Sequence, residues 1–410
     1  MSNKERRKAP VLRFKGFTDD WEQRKLNTYL SVSKLKNKEE RFSKQDVLSV
    51  SGDFGIVNQI KFQGRSFAGK SLSNYKIVKN GDIVYTKSPL KAAPYGIIKS
   101  NGGIPGIVST LYAVYTPKKS VDSKFVELFF NDQLRLNRYL KPIVNIGAKH
   151  DMKVKNDEVI NHFVTFPNKK EQLKISKLLQ KMDDVISLQQ RKMNKFQSIK
   201  MAILSRIFAD KGKTTLFFND SNATWKEIKL GNIATIIRGA SPRPIADSKW
   251  FDEKSKVGWL RISDVTSQHG RIKYLEQHLS QLGEKKTRVL KTPHLLLSIA
   301  ASVGYPVINY VPTGVHDGFL IFKNPQFQLN YGFYWLQSYR NRWQKYGQPG
   351  SQVNLNSSIV ENTIIDLPSE AEQKKIVSLL FKVDHLILTQ KDKISSLKQV
   401  KNFLLQNLFI

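Results

Sequence analysis

The chain has 410 residues, with 67 lysines and arginines against 34 aspartates and glutamates, so its formal net charge is +33. This excess predicts a polyanionic partner, and nucleic acid is the first candidate. The absence of cysteine excludes disulfides, thiolate metal sites and cysteine nucleophiles, and it is typical of a cytoplasmic protein. A hydrophobic content of 40% predicts folded domains.

The first globular part follows a basic tail, residues 1–10, which lacks the apolar stretch of a secretory signal. No run of apolar residues approaches the length of a membrane span, about 18 residues, so we expect no membrane association. Over residues 11–166, short apolar runs such as IVNQIKF (56–62) predict strands, and Ser123–Leu140 predicts one amphipathic helix capped by Asp122 or Ser123. The result is a mixed α/β domain.

The rest of the chain repeats this order. We expect a long helix over 167–210, a polar linker over 211–223, a second globular domain over 224–367 and a second long helix over 368–410. In the second domain, runs such as WLRISDV (259–265) predict strands, and Tyr331–Lys345 predicts a helix.

The two long helices are copies of one another. Residues 167–208 and 368–409 align without a gap at a constant offset of 201 residues, and about fifteen of the aligned positions are identical. At 1.5 Å per residue, each helix would be about 60 Å long. The identical pairs include Glu171/Glu372, Gln172/Gln373, Asp183/Asp384, Gln189/Gln390 and Lys200/Lys401.

Apolar residues recur every three and four positions in both helices, which is the pattern of a coiled-coil seam. Because a globular part separates the helices, the simplest pairing within the chain is antiparallel, with a pseudo-two-fold axis. Gln189 and Gln390 hold equivalent seam positions, and we expect them to meet at that axis and fix the register. The alternative is that both glutamines lie slightly off the seam and are solvated.

A rigid spacer between two basic, unlike globules predicts a particular kind of DNA target. Fixed separation between two binding sites corresponds to fixed spacing along the duplex, where one turn is about 34–36 Å. The pattern therefore indicates two different half-sites separated by a spacer that is not read.

These residues resemble the DNA-specificity (S) subunit of type I restriction–modification enzymes. The opening PVLRFKGFTDDWEQRKL (10–26), the duplicated P-x-x-x-E-Q-x-K-I-x-x-L-L-x-K-x-D helices and the two divergent globules are similar to that family's motifs, conserved regions and target-recognition domains. The likeness covers essentially the whole chain. It implies a fold of two α+β target-recognition domains separated by two long helices that form an antiparallel coiled coil.

The resemblance also implies a role and partners. The chain would be a non-catalytic subunit that binds double-stranded DNA, docks two methyltransferase subunits and, through them, a restriction and translocation subunit. It would bind no cofactor itself: S-adenosylmethionine would belong to the methyltransferase partner, and ATP and Mg²⁺ to the nuclease partner.

Two other motifs have plainer explanations. Residues 64–71, GRSFAGKS, match the phosphate-loop pattern, but the following β-rich run with a turn at Asn80-Gly81 favours a loop or hairpin over a nucleotide site. Asn324–Phe327 only faintly matches an adenine-methylase tetrapeptide, and a surface turn is favoured. The seven histidines show no metal-ligand spacing, so we expect no metal site.

Candidate DNA contacts lie in loops that combine lysine or arginine with serine, tyrosine, histidine or glutamine. Arginine and glutamine side chains can read guanine and adenine edges, whereas lysine mostly contacts phosphate. In the first domain the candidates are Lys87, Ser88, Lys91, Tyr95, Lys149, His150 and Lys153. In the second they are Arg238, Ser241, Arg243, Arg261, Ser263, Ser302, Tyr305, Gln348, Ser351 and Gln352.

Two alternatives remain beside the specificity-subunit hypothesis. The first is an architectural coiled-coil DNA-binding protein without enzymatic partners. The second, resting on GRSFAGKS alone, is an ATPase-type coiled-coil protein of the phosphate-loop class.

Overall fold

The computed structural model describes residues 9–89, 93–146, 152–208, 225–300, 303–346 and 355–410. The chain forms two compact units: Met1–Gln189 together with Lys393–Ile410, and Gln190–Asp392. Each unit therefore contains one globular part and a section of both long helices. Among the described residues, no helix has the length and apolar character needed to cross a membrane.

Unit 1 is built on a four-stranded antiparallel sheet in the order β2-β9-β6-β7, with two-stranded pairs β3-β4, β5-β8, β10-β11 and β1-β12 around it. Its strands are β1 (Glu22–Lys25), β2 (Leu30–Val32), β3 (Leu48–Ser51), β4 (Gly55–Asn58), β5 (Lys76–Val78), β6 (Ile83–Thr86), β7 (Ile98–Ser100), β8 (Gly106–Val108), β9 (Tyr112–Pro117), β10 (Asn145–Ile146), β11 (Met152–Lys153) and β12 (Phe163–Phe166). Its helices are α1 (Gln59–Gln63), α2 (Ser123–Phe130), α3 (Gln133–Leu140) and α4 (Asn156–Ile160), followed by the long α5 (Lys169–Ile207).

Two predictions for unit 1 were wrong, and local capping explains both. The single helix expected at Ser123–Leu140 is two helices, because the Asp132 carboxylate accepts the Arg135 N–H at 2.7 Å and starts α3 anew. The strand expected over 56–62 stops at Asn58, whose side chain accepts the Lys61 N–H at 3.1 Å and caps α1. Asp122 is the cap of α2, as predicted.

Unit 2 has a different sheet arrangement: five strands in the order β14-β21-β18-β19-β16, three in the order β15-β20-β17, and the pair β13-β22. Its helices are α6 (Leu230–Ile233), α7 (Ile262–Ser267), α8 (Gln281–Lys285), α9 (Leu329–Tyr339), α10 (Ser357–Glu361) and the long α11 (Glu370–Asn407). Its strands are β13 (Lys226–Lys229), β14 (Thr235–Arg238), β15 (Gly258–Trp259), β16 (Arg271–Ile272), β17 (Arg288–Leu290), β18 (Leu295–Ser298), β19 (Pro306–Asn309), β20 (Thr313–Val315), β21 (Phe319–Lys323) and β22 (Ile364–Leu367).

The strand predicted over 259–265 was also wrong beyond its first residue. The Asp264 carboxylate accepts the Arg261 N–H at 2.9 Å, and this capping contact starts α7 at Ile262. The predicted helix Tyr331–Lys345 was right in part, because α9 ends at Tyr339 and the chain continues as a 3₁₀ helix, Arg340–Tyr346.

The long helices run antiparallel inside unit 1. Ile175 and Leu179 of α5 share a buried core with Leu408 and Phe409, the two residues that follow the end of α11. The Phe125 ring of α2 lies 5.4 Å from the Phe409 ring. The start of α5 therefore packs beside the end of α11 and against the globular part.

Unit 2 repeats this arrangement with the helices exchanged. Leu204 and Ile207 at the end of α5 share a core with Ile376 and Leu380 at the start of α11. The Phe208 ring lies 5.6 Å from Tyr331 of α9. The predicted antiparallel pairing is thus present in each unit.

Candidate nucleic-acid interface

A buried glutamine fastens each long helix to its own globular part. In unit 1, the Gln172 amide accepts the backbone N–H of Asp122 at 2.9 Å and donates to the Pro167 carbonyl at 2.8 Å. In unit 2, Gln373 makes the same two bonds with Gln328 and Pro368, at 2.9 and 3.0 Å. Both side chains are buried, so the repeated glutamine serves as a clamp between helix and domain.

A Lys–Asp ion pair joins the two long helices in each unit. In unit 1, Lys401 of α11 pairs with Asp183 of α5. In unit 2, Lys200 of α5 pairs with Asp384 of α11 at 2.6 Å. These four residues form two of the identical pairs of the sequence repeat, Asp183/Asp384 and Lys200/Lys401. The two copies therefore share this ion pair as well as the residue types.

Gln189 and Gln390 fall on opposite sides of the division between the units. Gln390 is buried and Gln189 is half-buried. Their meeting at a pseudo-two-fold axis stays a prediction.

Three of the predicted DNA-contact residues in unit 2 come together around one residue, Asp317. The Ser241 hydroxyl donates to Asp317 Oδ1 at 2.5 Å, and Arg243 Nη2 donates to Oδ2 at 2.7 Å. Arg238, at the end of β14, donates through Nε to the Asp317 carbonyl at 2.6 Å. Arg288 in turn donates to the Arg238 carbonyl at 2.6 Å. We call these five residues the Asp317 cluster.

The backbone beneath the Asp317 cluster is tightly built. Gly239 donates its N–H to the Phe319 carbonyl at 2.9 Å, and a Cβ on Gly239 would lie 2.1 Å from the His316 carbonyl oxygen. Only glycine fits this approach of two chain segments. Burial lowers the pKa of His316, whose Nδ1 accepts the Gly318 N–H at 2.9 Å, so this ring is neutral near pH 7.

The electrostatics of the Asp317 cluster suit an anionic partner. The Ser241 hydrogen bond, followed by the charges of Arg243 and Arg238, lowers the pKa of Asp317 and keeps it ionised. Three guanidinium groups against one carboxylate leave a surplus of two positive charges. The Arg243 side chain is 73% exposed. Guanidinium N–H donors held in place at a surface can form forked bonds to phosphate or to guanine.

Arg261 is held by two carboxylates instead. Its Nη2 lies 3.1 Å from Asp264 and 2.8 Å from Glu276, and these bonds raise its pKa. Its guanidinium therefore anchors the start of α7. Ser263, on the same helix, is exposed. The Tyr305 ring is covered by the Arg340 guanidinium at 3.5 Å.

In unit 1, the described candidates are more strongly tied to the protein. Lys87 donates through Nζ to the Val154 carbonyl at 3.0 Å, and burial lowers its pKa. Tyr95 packs against the core, whereas Ser88 is exposed. The remaining predictions lie outside the described residues or, for the Lys153 side chain, the described side chains: Lys91, Lys149, His150, Lys153, Ser302, Gln348, Ser351 and Gln352. All seventeen candidate residues stay predictions as DNA contacts.

Asp317 and Arg288 were missed by sequence reasoning. Asp317 lies 76 positions from Ser241 along the chain. Locally, the sequence shows only that His316 and Asp317 are adjacent, and adjacency alone does not indicate a contact with Arg238, Ser241 or Arg243.

The phosphate-loop pattern of residues 64–71 has the wrong surroundings for a nucleotide. The short helix α1 precedes the motif, and the strand β5 follows it after a turn. A phosphate loop requires the reverse, a strand before and a helix after. Among the described residues, no group of three or more histidine or acidic side chains could hold a metal ion.

Comparisons with known proteins agree with this geometry. Residues 222–399 match the model of the type I restriction modification DNA specificity domain. A chain in a structure of the type I R-M system, described as the structural basis of complex assembly and conformational transition, is similar at a TM-score of 0.60 and 15% identity, covering 95% of this chain and 97% of that one. The type I restriction-modification system S subunit from M. genitalium is similar at a TM-score of 0.58 and 14% identity, covering 98% and 99%.

At these identities the solved structures establish the fold alone, and the domain model covers residues 222–399, less than half of the chain. The first half of the chain lies outside that match, but both halves fasten to their long helices through equivalent glutamine contacts. Residues 222–399 are therefore similar to the DNA specificity domain of type I restriction modification systems, and the chain as a whole shares its fold with the S subunit structures that it matches.

Proposed function

We propose that this subunit reads a bipartite, asymmetric target in double-stranded DNA, with each unit reading one half. The observation that carries the proposal is a contrast within the molecule. The globular part of unit 1 is fastened to α5 by Gln172, and the globular part of unit 2 is fastened to α11 by Gln373 through equivalent hydrogen bonds. Their sheets, however, differ in strand number and order. Two domains that attach to the long helices in the same way but differ in their sheets would recognise two different half-sites.

The Asp317 cluster is the best-supported reading surface of unit 2. It brings Arg238, Ser241 and Arg243 to one place at a strand end, with positive charge in excess. Asp317 holds these side chains in fixed positions before DNA arrives, which reduces the ordering cost of binding. Arg243, whose side chain is 73% exposed, is the candidate for base contact.

Partners would use the outer faces of the long helices. We infer that two methyltransferase subunits dock there and that a restriction subunit joins through the assembly. The lysines on these helices include Lys169, Lys170, Lys174, Lys177, Lys181, Lys374, Lys375 and Lys382. The methyltransferase would carry S-adenosylmethionine, and the nuclease ATP and Mg²⁺. The chain itself would be non-catalytic and act in the cytoplasm.

The two alternatives have less support. The matched specificity-domain model disfavours an architectural DNA binder. The order of elements around residues 64–71 disfavours a nucleotide-driven protein.

The proposal is tested by selecting bound duplexes from a random library, using the chain purified with its methyltransferase. We expect two unlike half-sites at a fixed spacing. Arg243→Ala should relax base preference in one half only, at about 1–3 kcal/mol at the affected position. The control is Lys323→Ala, which removes an exposed positive charge of the same unit at the end of β21 that pairs with Thr235, away from Arg238 and outside the predicted DNA contacts. Relaxation of both halves by Arg243→Ala would contradict the assignment.

A further inference from the structure

The segment that resembles a phosphate loop lies within an unusually basic stretch of unit 1. Residues 54–81 contain five lysines and arginines and no aspartate or glutamate. Lys76 is used internally, since its Nζ donates to the Tyr112 carbonyl at 2.6 Å. Lys61, Arg65 and Lys70 are exposed, and no carboxylate in the described part of the chain pairs with them. Three cations therefore face solvent together.

Three phenylalanines are exposed in the same segment. The exposed fractions are 67% for Phe54, 44% for Phe62 and 58% for Phe67. The rings of Phe54 and Phe62 lie 5.4 Å apart, and the Arg65 guanidinium lies 4.7 Å from the centre of the Phe67 ring. Several phenylalanines left in water beside one another are costly unless a partner covers them. We call Phe54, Lys61, Phe62, Arg65, Phe67 and Lys70 the aromatic–basic rim.

The backbone that carries the rim is firmly held. Gln59, the first residue of α1, accepts the Phe67 N–H at 2.8 Å and the Ser66 hydroxyl at 3.3 Å, and donates to Ser49 at 3.2 Å. Gly64 ends the helix with φ of +75°, a conformation that favours glycine.

The far side of the loop is anchored as well. Leu72 is buried with Val47 and Ile107, and Ala68 packs against them. The backbone of the rim is therefore anchored to a small core. The apolar residues Ala68 and Leu72 pack in that core, whereas the rings of the rim are exposed.

We propose that the aromatic–basic rim is a DNA-contact surface of unit 1, with Lys61, Arg65 and Lys70 on phosphates and the phenylalanine rings against bases at a partly unstacked step. This inference rests on the proposed function, because it assigns a surface of the same DNA-reading unit. Aromatic side chains stack on bases and wedge between base steps, and neighbouring cations hold the backbone. The three cations of the rim, in a segment (54–81) without aspartate or glutamate, favour the phosphates of DNA over a protein partner.

Two variants separate the aromatic from the electrostatic contribution. Phe62→Ala with Phe67→Ala removes stacking, and we expect about ten-fold weaker binding of target duplex at unchanged salt dependence. Lys61→Ala, Arg65→Ala and Lys70→Ala together should flatten the plot of log affinity against log salt by about 0.9 for each phosphate that is no longer neutralised.

The matched control is Phe163→Ala. Phe163 is 57% exposed in the same unit, and Lys25 Nζ lies 5.9 Å from its ring, but it is outside the rim. We expect this variant to bind DNA as the unaltered chain does. Phe62→Tyr with Phe67→Tyr should restore binding, which shows that weaker binding by the alanine variant comes from missing stacking and not from misfolding.

The experiment measures anisotropy of labelled duplexes with the chain purified with its methyltransferase, together with fluorescence of 2-aminopurine placed at successive positions. A rise of the 2-aminopurine signal at one step, absent with the alanine variant, supports the rim. The proposal is overturned if the Phe62→Ala, Phe67→Ala variant binds DNA as tightly as Phe163→Ala does. It is also overturned if the rim variant keeps its DNA affinity but no longer binds the methyltransferase. If the unaltered chain shows no sequence preference, the proposed function fails, and the salt dependence on the same duplexes still decides the rim.

Discussion

The two Lys–Asp pairs between the long helices are equivalent in sequence but differ in their surroundings. Lys200 and Asp384 in unit 2 keep only 12% and 21% of their side-chain surface exposed. Lys401 and Asp183 in unit 1 keep 24% and 44%. In addition, the Tyr334 hydroxyl donates to Asp384 Oδ2 at 2.6 Å. Burial raises the pKa of Tyr334, so this hydroxyl stays a donor across the working pH range.

This difference predicts unequal costs for the same substitution. Asp384→Ala leaves a largely buried ammonium and a buried hydroxyl without their acceptor, and we expect a loss of about 2–3 kcal/mol of unfolding free energy. Asp183→Ala exposes its lysine to water, and solvent screening limits the loss to about 0–1 kcal/mol. The pair in unit 2 therefore contributes more to holding the helices together.

Hydrogen exchange followed by mass spectrometry is the suitable assay, because a chain with two units need not unfold in one step. We expect faster exchange in α9 and the first half of α11 for Asp384→Ala, with little change in unit 1. A double-mutant cycle with Lys200→Met isolates the pair from the tyrosine contact. Equal losses for Asp183→Ala and Asp384→Ala would refute the reasoning.

Three further outcomes follow from single contacts. Gln172→Ala removes two buried hydrogen bonds to backbone atoms, and we expect the opening free energy of unit 1, measured by hydrogen exchange, to fall by about 1–3 kcal/mol; a change within error would contradict the clamp. Gly239→Ala places a methyl group against the His316 carbonyl, so the melting temperature should fall and DNA affinity with it, whereas an unchanged melting curve would contradict the close approach. Since the pKa of Asp317 is lowered in the folded state, its stabilisation is present above about pH 4 and disappears as pH falls through the folded pKa. Ser241→Ala should therefore destabilise the chain near pH 7 and not at the acid end, and a pH-independent difference in urea midpoints would disprove the linkage.

The long helices and their antiparallel pairing could be predicted from the sequence because both follow from repetition. A helix repeat is a local signal, and its duplication across 201 positions limits the ways the copies can meet. The function of the shared residues could not be predicted as readily. Asp183 and Lys401 are identical to Asp384 and Lys200 in the repeat, but only the fold shows that each carboxylate faces the lysine of the other helix.

Local misassignments had one common cause. Residues 56–62 and 259–265 are rich in strand-forming residues, yet a side-chain cap, Asn58 in one and Asp264 in the other, starts a helix within each run. Capping competes with β propensity over a few residues, and the apolar pattern alone does not decide between them.

The Asp317 cluster was half visible in the sequence. Arg238, Ser241 and Arg243 stand within six residues and combine the donor groups that a DNA contact needs. Asp317 was missed because it reaches them through the pairing of β14 with β21, a long-range contact that no local pattern specifies.

The proposed function requires that one chain reads two unlike half-sites at a fixed spacing. It is tested most directly by expressing this chain with its methyltransferase in a host that lacks other adenine methylation and mapping every methylated adenine in the genome. We predict a single asymmetric motif made of two different specified blocks separated by a constant number of unspecified bases. A continuous motif, a palindrome or a variable gap would contradict the account.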